Sequence, residues 1–358
     1  MKIVQLAPNV LNLNKDMKYG GIERLIIQLD KQFELIGHQH SIIVPAGDNS
    51  TQNNLTTLPE SYWNSTTRDE KFKRADQRIF NDIAHLAKAI EFINQGDFDI
   101  VHDHTGKLFP FKKSLNKPLL TTLHGPSDWF WDKNLYKDLF KRAFFNAISN
   151  SQKQDYDFLR VDYVVYNGLD LNSFPFSKQK SNYLFTLGQI TNHKGQHIAI
   201  EVSKKTGLDL IIAGKISDDP TDPEDRDYFE NQIRPNLNQK IKFIGELNDS
   251  EKKPYYRDAK CFLMPIDCKE AFGLVMIESM ACGTPVIAFN KGAVPELVIP
   301  GITGYIAKDT KEMIEYIGKV GEIDPEKCRD YALKHFDISV IAKSYIQVYK
   351  DVIRRFEK

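Results

Sequence analysis

CFLMPIDCKEAFGLVMIESMACGTPVIAF, running from Cys261 to Phe289, holds a strand, a loop, a helix and a second strand in one stretch. Cys261–Met264 is an unbroken apolar run of the kind that is buried on both faces of a sheet. A short loop follows, and Phe272-Gly273-Leu274 opens the helix. Val286–Phe289 is again apolar. A strand that returns through a helix to another strand pairs in parallel.

The same alternation extends outward in both directions. Upstream, strands are predicted at Ile3–Leu6, Ser41–Val44, Ile100–His102, Leu119–Leu123, Asn146–Ser149 and Tyr163–Tyr166. A second series runs Tyr183–Leu187, Leu208–Ala213, Lys242–Ile244, Cys261–Met264 and Val286–Phe289. Helix spacing separates them: Ile22, Leu25, Ile26, Leu29, Phe33 and Ile36 before Gly37, and Ile79, Ile83, Leu86, Ile90 and Ile93 before Gly96. Two series predict two parallel sheets with helices on both faces. The expected architecture is α/β, two Rossmann-like domains facing across a cleft. The boundary is expected in the polar stretch Asn172–Asn182, giving domains at 1–171 and 183–335. The final helix sets Ile341, Tyr345, Val348, Tyr349, Val352 and Phe356 on one face, so 336–358 is expected to pack back on the first domain.

Composition narrows the class. The 358 residues include 48 Lys+Arg and 48 Asp+Glu, so there is no basic surplus for general nucleic-acid binding. No apolar run reaches the length of a membrane span. Met1–Pro8 enters a strand directly, without a signal-peptide pattern, and a cytoplasmic location is expected. Peripheral contact with a membrane surface stays open, although the net charge does not indicate it. The four cysteines, Cys261, Cys268, Cys282 and Cys328, form no Cys-x-x-Cys pair and read as reduced, buried thiols. Asp218–Asp227 is an acidic loop read as a solvated insertion.

In open parallel sheets ligands bind at the carboxyl ends of strands. The helix start at Phe272–Leu274 offers unpaired N–H groups and a positive dipole end to an anion. Glu270 and Glu278 bracket it about two turns apart. Two carboxylates around an anion site suit a diphosphate with hydroxyl-bearing groups on both sides. The pair alone also fits one surface and one structural carboxylate; the run through Ala281-Cys282-Gly283-Thr284-Pro285 favours the ligand site.

That run resembles the Glu-x7-Glu signature of retaining family 4 glycosyltransferases, which have the GT-B architecture. The resemblance covers nearly the whole chain. Gly20-Gly21-Ile22-Glu23 is similar to the family's first glycine loop, and His124-Gly125 to its Thr-x-x-His-Gly. Asn167-Gly168-Leu169-Asp170 with Phe174 resembles the end of the first domain, and Gly188 to Lys194-Gly195 the loop that opens the second. Ala213-Gly214 and Phe243-Ile244-Gly245 resemble the strand ends around the nucleotide.

The resemblance implies a nucleotide diphosphate sugar, UDP- or GDP-linked, as co-substrate, with no cofactor and no metal. Glu270 would hold sugar hydroxyls, the Phe272, Gly273 and Leu274 amides the sugar and phosphate, and Glu278 the ribose. Gly20 and Gly21 would reach the diphosphate and Lys194 would neutralise it. Gly188 and Gly214 line the nucleotide, Leu247 meets the base through its main chain, and His124 sits by the reacting sugar. The family's Arg is Gln189 here. Either Lys194 works with helix ends alone, or Lys215 supplies the missing charge, or Lys215 is a solvated loop residue.

His102, Asp103 and His104 leave three readings open: a two-histidine metal site, the lining of an acceptor pocket, or structure. The first would make the protein a metal-dependent hydrolase. Trp129, at the head of Trp129-Phe130-Trp131, reads as a stacking platform for the acceptor or as core. The aromatic and basic run from Lys107 to Lys117 shares the ambiguity with a membrane interface. The function expected is metal-independent, retaining transfer to a glycan, a lipid-linked sugar or a small molecule. A catalytically inactive nucleotide-sugar binder is the further alternative.

Overall fold

A computed structural model describes residues 1–10, 13, 20–45, 54–58, 75–129, 143–216 and 224–358, with the backbone alone at 75–77 and 129. The chain forms two compact units, Met1–Leu169 with Ile338–Lys358, and Asp170–Asp337. Residues 172–182 therefore lie inside the second unit. There Asn172 donates to Asp337 (3.0 Å), and Lys180 Nζ donates to the Arg257 and Cys282 carbonyls (2.8 and 2.9 Å). Polar composition here marks a segment anchored by hydrogen bonds, not a free linker.

The first unit is built on β1 (Lys2–Leu6), β2 (Gln39–Val44), β3 (Asn54–Thr56), β4 (Ile100–Asp103), β5 (Leu119–Leu123), β6 (Phe144–Ala147) and β7 (Tyr163–Val164). Their order is β3-β2-β1-β4-β5-β6-β7, all parallel, with Val4 opposite Val101 and His102 opposite Leu120. The central strands β4 and β5 are buried at every residue, as expected of strands covered on both faces. β6 begins two residues earlier than the apolar pattern suggests. Ser149 caps the helix Asn150–Asp155 by accepting from Gln152 N–H, which withdraws it from the strand.

Helix Gly21–Leu35 buries Leu25, Ile26, Leu29 and Phe33, the predicted face. Helix Ala75–Gln95 keeps its expected face only in its second half. Leu86 and Ile93 are buried, whereas Ile79 and Ile83 are 57% and 51% exposed. The helix Ile338–Phe356 belongs to this unit. Its Ile341, Tyr345, Tyr349 and Val352 pack with Ile3, Leu29, Phe33, Ile100 and Leu120, while Phe356 is exposed. Arg355 pairs with Asp162 at 2.8 Å and Tyr163 donates to Asp351 at 2.6 Å, fixing the helix against β7.

The second unit carries β8 (Tyr183–Leu187), β9 (Asp209–Ala213), β10 (Ile241–Phe243), β11 (Cys261–Met264), β12 (Val286–Phe289) and β13 (Gly304–Ala307) in the order β10-β9-β8-β11-β12-β13. Each sheet thus reverses strand order once, at β1/β4 and at β8/β11. Those reversals are where open parallel sheets leave room for a ligand at their carboxyl ends. Residues 217–223 of the acidic loop lie outside the described residues, and Glu224–Tyr228 is a short helix. Cys261, Cys282 and Cys328 are buried and free, and Cys268 is partly exposed.

Candidate active site

At the β8/β11 reversal two loops are locked together through their backbones. β8 leads through Gly188-Gln189 into the turn Asn192–Lys194, closed by Gly195 at φ +74°. A Cβ on Gly195 would stand 2.0 Å from the Pro265 carbonyl oxygen, so only glycine admits this approach. Asp267 N–H donates to the His193 carbonyl (2.8 Å) and completes the junction. Lys194 on one loop then reaches Glu270 on the other, Nζ to Oε2 3.0 Å, with 28% and 16% of the side chains exposed.

Glu270 is also held from β12. Ala293 N–H donates to its carbonyl (2.8 Å), and Gly292 at φ +56° lies so close that a Cβ would meet the Glu270 oxygen at 2.2 Å. Just past Glu270, the Phe272 ring is buried edge-on to Phe336 (5.9 Å). Helix Leu274–Ala281 begins at Gly273 with no side-chain cap. A cation, a carboxylate and an uncapped helix start converge at the carboxyl end of the sheet, an arrangement that accepts a phosphate beside a hydroxyl-bearing group.

Glu278 departs from the ribose-binding expectation. It has no exposed surface; its carboxylate accepts from Lys252 Nζ (2.6 Å) and from the Tyr256 hydroxyl (3.0 Å). Both partners stand on helix Asp249–Asp258. Glu278 is thus a buried, neutralised carboxylate that joins this helix to Leu274–Ala281. Neither Lys252 nor Tyr256 stood out in the sequence, and their helix was not among those expected.

The nucleotide-side expectations are distributed around this centre. Gly214 N–H donates to the Gly245 carbonyl (2.8 Å), which joins the ends of β9 and β10, and Gly188 N–H to the Ala213 carbonyl (3.2 Å). Leu247 is half-buried in the loop that follows. Gln189 is exposed and donates to Asp225 (3.0 Å), while Lys215 accepts Ile190 N–H through its carbonyl (2.9 Å) and is half-buried.

In the first unit, Gly20 and Gly21 form the start of helix Gly21–Leu35, again with no side-chain cap. Glu23 is buried in its first turn, and burial raises its carboxyl. His102 and Asp103 correct the acceptor-lining expectation, since neither has exposed surface. His102 bonds through Nδ1 to the Tyr349 hydroxyl and through Nε2 to Thr122 Oγ1, both at 2.7 Å. With both ring nitrogens engaged it has no lone pair for a metal, and no cluster of three metal-ligating side chains occurs among the described residues. Asp103 accepts from Thr105 N–H and Oγ1 (2.8 and 2.6 Å), from Leu108 N–H (3.2 Å) and from Thr121 Oγ1 (3.2 Å). It shapes the loop after β4.

His104 and His124 do come together, Nδ1 to Nε2 3.1 Å. Burial holds His104 well below the usual histidine range and brings His124 down to about 3. Beyond them, the Trp129 side chain, Phe130 and Trp131 lie outside the described residues. Of the aromatic and basic run, Leu108 and Phe109 are core and Phe111 is 43% exposed.

Comparison with known proteins bears on the family and the fold. Residues 19–173 match the family model "Glycosyltransferase Family 4", and residues 171–340 match "Glycosyl transferases group 1". The chain belongs to the family 4 glycosyltransferases, with the GT-B fold. It is 23% identical to a phosphatidyl-myo-inositol mannosyltransferase of Mycobacterium tuberculosis, with 93% of each chain covered. It is 25% identical to an uncharacterized 41.2 kDa protein of the cps region of Klebsiella pneumoniae, over 96% of this chain and 99% of that one. Among solved structures it resembles the sucrose-phosphate synthase of Thermosynechococcus elongatus (TM-score 0.79, 17% identity, 99% of both chains). It also resembles Anabaena HepE solved with UDP and glucose (TM-score 0.75, 17% identity, 98% of this chain and 100% of that one). No helix among the described residues is long and apolar enough to cross a membrane.

Proposed function

We propose that this glycosyltransferase moves a hexose from a nucleotide diphosphate sugar, UDP- or GDP-linked, to a hydroxyl of a glycan, a lipid-linked sugar or a small molecule, with retention and without a metal. The observation that carries the reading is the Lys194–Glu270 pair beside the uncapped start of helix Leu274–Ala281. The bond from the anomeric carbon to the phosphate oxygen breaks as the acceptor oxygen bonds to that carbon. The acceptor's proton passes to the leaving phosphate. Charge grows on the diphosphate, and Lys194 with the helix-start amides stabilises it in place. Glu270 holds the sugar hydroxyls, and Lys215 supplies the charge that Gln189 lacks. The second unit takes the donor. The acceptor-side role falls to the first unit, with His124 meeting a substrate hydroxyl. HepE with UDP and glucose, and a mannosyltransferase named for a phosphoinositide, support a hexose donor and leave a lipid-linked acceptor in play.

A thermal-shift series with UDP, GDP, uridine and the corresponding diphosphate sugars tests this. A nucleoside diphosphate should raise the melting temperature in the presence of chelator, and Lys215→Ala should weaken UDP more than uridine. Stabilisation that appears only with Mg²⁺ or Mn²⁺ would overturn the metal-free mechanism. No response to any nucleotide would overturn the donor assignment.

A further inference from the structure

β1, β4 and β5 lie side by side, and each places a polar side chain at or near its carboxyl end: Gln5 in β1, His104 just after β4 and His124 just after β5. They form one chain of contacts. Gln5 Nε2 faces the Ile26 carbonyl (3.4 Å), Gln5 Oε1 faces His104 Nε2 (3.2 Å), and His104 Nδ1 faces His124 Nε2 (3.1 Å). Among the described residues, His124 Nδ1 is buried and has no partner.

The chain has one consistent set of protons. The Ile26 carbonyl only accepts, so Gln5 turns its amide N–H toward it and offers Oε1 to His104. His104 Nε2 must then carry a proton. A neutral imidazole has one N–H, so His104 Nδ1 is a bare acceptor and His124 Nε2 donates to it. The single proton of His124 is thereby placed on Nε2, and Nδ1 keeps its lone pair. Burial favours the neutral form of both rings. The backbone under His124 is fixed as well: the Gly125 carbonyl accepts from Gln152 Nε2 (3.1 Å) and from the Tyr156 hydroxyl (3.0 Å).

We propose that Gln5 and His104 are positioning residues that set the tautomer of His124, so that its Nδ1 accepts a hydrogen bond from a substrate hydroxyl. A buried acceptor without a donor is unfavourable, and an incoming O–H relieves it. Only the identity of the hydroxyl rests on the glycosyltransferase reading; the tautomer does not.

The test uses full-length protein labelled with 15N-histidine. Wild-type His124 should show its proton on Nε2. His104→Phe keeps an aromatic ring but no lone pair, and Gln5→Leu removes the acceptor that orders His104. Both should give mixed tautomers at His124 and lower kcat/KM for transfer about tenfold, the effect of one net hydrogen bond, with unchanged UDP affinity. Gln5→Glu sets a carboxylate against His104 Nε2 and favours the imidazolium, whose Nδ1–H donates, so the His124 proton should move to Nδ1 and transfer should fall likewise. Loss shared by transfer and donor hydrolysis would assign the hydroxyl to the donor sugar; loss in transfer alone would assign it to the acceptor. A wild-type proton on Nδ1 overturns the proposal, as does an unchanged tautomer in both variants. Should the wild type transfer no sugar while His124 carries its proton on Nε2, the relay stands and the glycosyltransferase reading fails.

Discussion

Lys194 and Glu270, brought together from the ends of two adjacent strands, neutralise each other at 3.0 Å. Under the proposed function, a diphosphate would compete with Glu270 for the ammonium, and sugar hydroxyls with Lys194 for the carboxylate. On that reading, donor binding would be an exchange of partners. Glu270→Gln removes the competing charge, so UDP should bind at least as tightly as to wild type while turnover falls about 10²-fold. Titration calorimetry with UDP and steady-state kinetics measure the two effects. A large loss of UDP affinity in Glu270→Gln would contradict the exchange.

Lys252 neutralises the fully buried Glu278, and removing one partner of such a pair leaves the other charge stranded. Lys252→Met should cost about 3–5 kcal/mol in the stability of the second unit. Glu278→Gln in the Lys252→Met background should recover much of that loss. Chemical denaturation of wild type and the two variants measures the loss and its recovery. Equal stability of Lys252→Met and wild type would show that the pair is not buried in solution.

Gly292 and Gly301 both have positive φ, +56° and +77°, but differ in their surroundings. A Cβ at 292 meets the Glu270 backbone, whereas nothing lies within 4 Å of one at 301. Each alanine variant should lose about 1–2 kcal/mol for the left-handed backbone. Gly292→Ala alone should also lower turnover, because it displaces Glu270. Similar kinetics for the two variants would remove Gly292 from the support of the site.

The buried histidines make the first unit sensitive to acid. His102, His104 and His124 are all lowered by burial, His124 to about 3, so the unfolded chain binds more protons than the folded one below the ordinary value of 6.5. Stability should fall as the pH drops from about 6.5 toward 3, by up to about 1.4 kcal/mol per pH unit for each histidine. Asp30, raised from 3.8 to about 6 by burial, acts in the opposite sense between those values. Urea denaturation from pH 7 to pH 5 measures the balance, and stability that does not fall toward pH 5 would contradict the expected net loss.

The parallel sheets and their order of elements were legible because central strands buried on both faces are continuous apolar runs. Edge strands carry less signal: β3 is Asn54-Leu55-Thr56, and β13 opens on Gly304, and neither stands out in the sequence. The loops of the second unit's candidate site were readable because a glycine at a close backbone approach constrains the residue type. Burial of charge was not readable. Glu278 looks like a ligand for a ribose until Lys252 and Tyr256 are seen on the neighbouring helix, and a polar helix gives no hint that its lysine faces inward. His102 misled for a similar reason. Strand alternation correctly sets it on the same side as His104, but its partners Tyr349 and Thr122 come from distant parts of the chain.

The placement of helix Ile338–Phe356 in the first unit has a consequence for biosynthesis. The chain begins that unit, makes the whole of residues 170–337, and only then supplies the helix that covers Ile3, Leu29, Phe33 and Ile100. During translation the second unit has its complete sequence while the first still exposes an apolar sheet face. Contacts such as that between the Phe33 and Tyr349 rings join segments far apart in sequence and are the slow, long-range kind. A ribosome that pauses before the codons for Ile338–Phe356 would thus hold a nascent chain whose second unit can be native and whose first invites chaperones or aggregation.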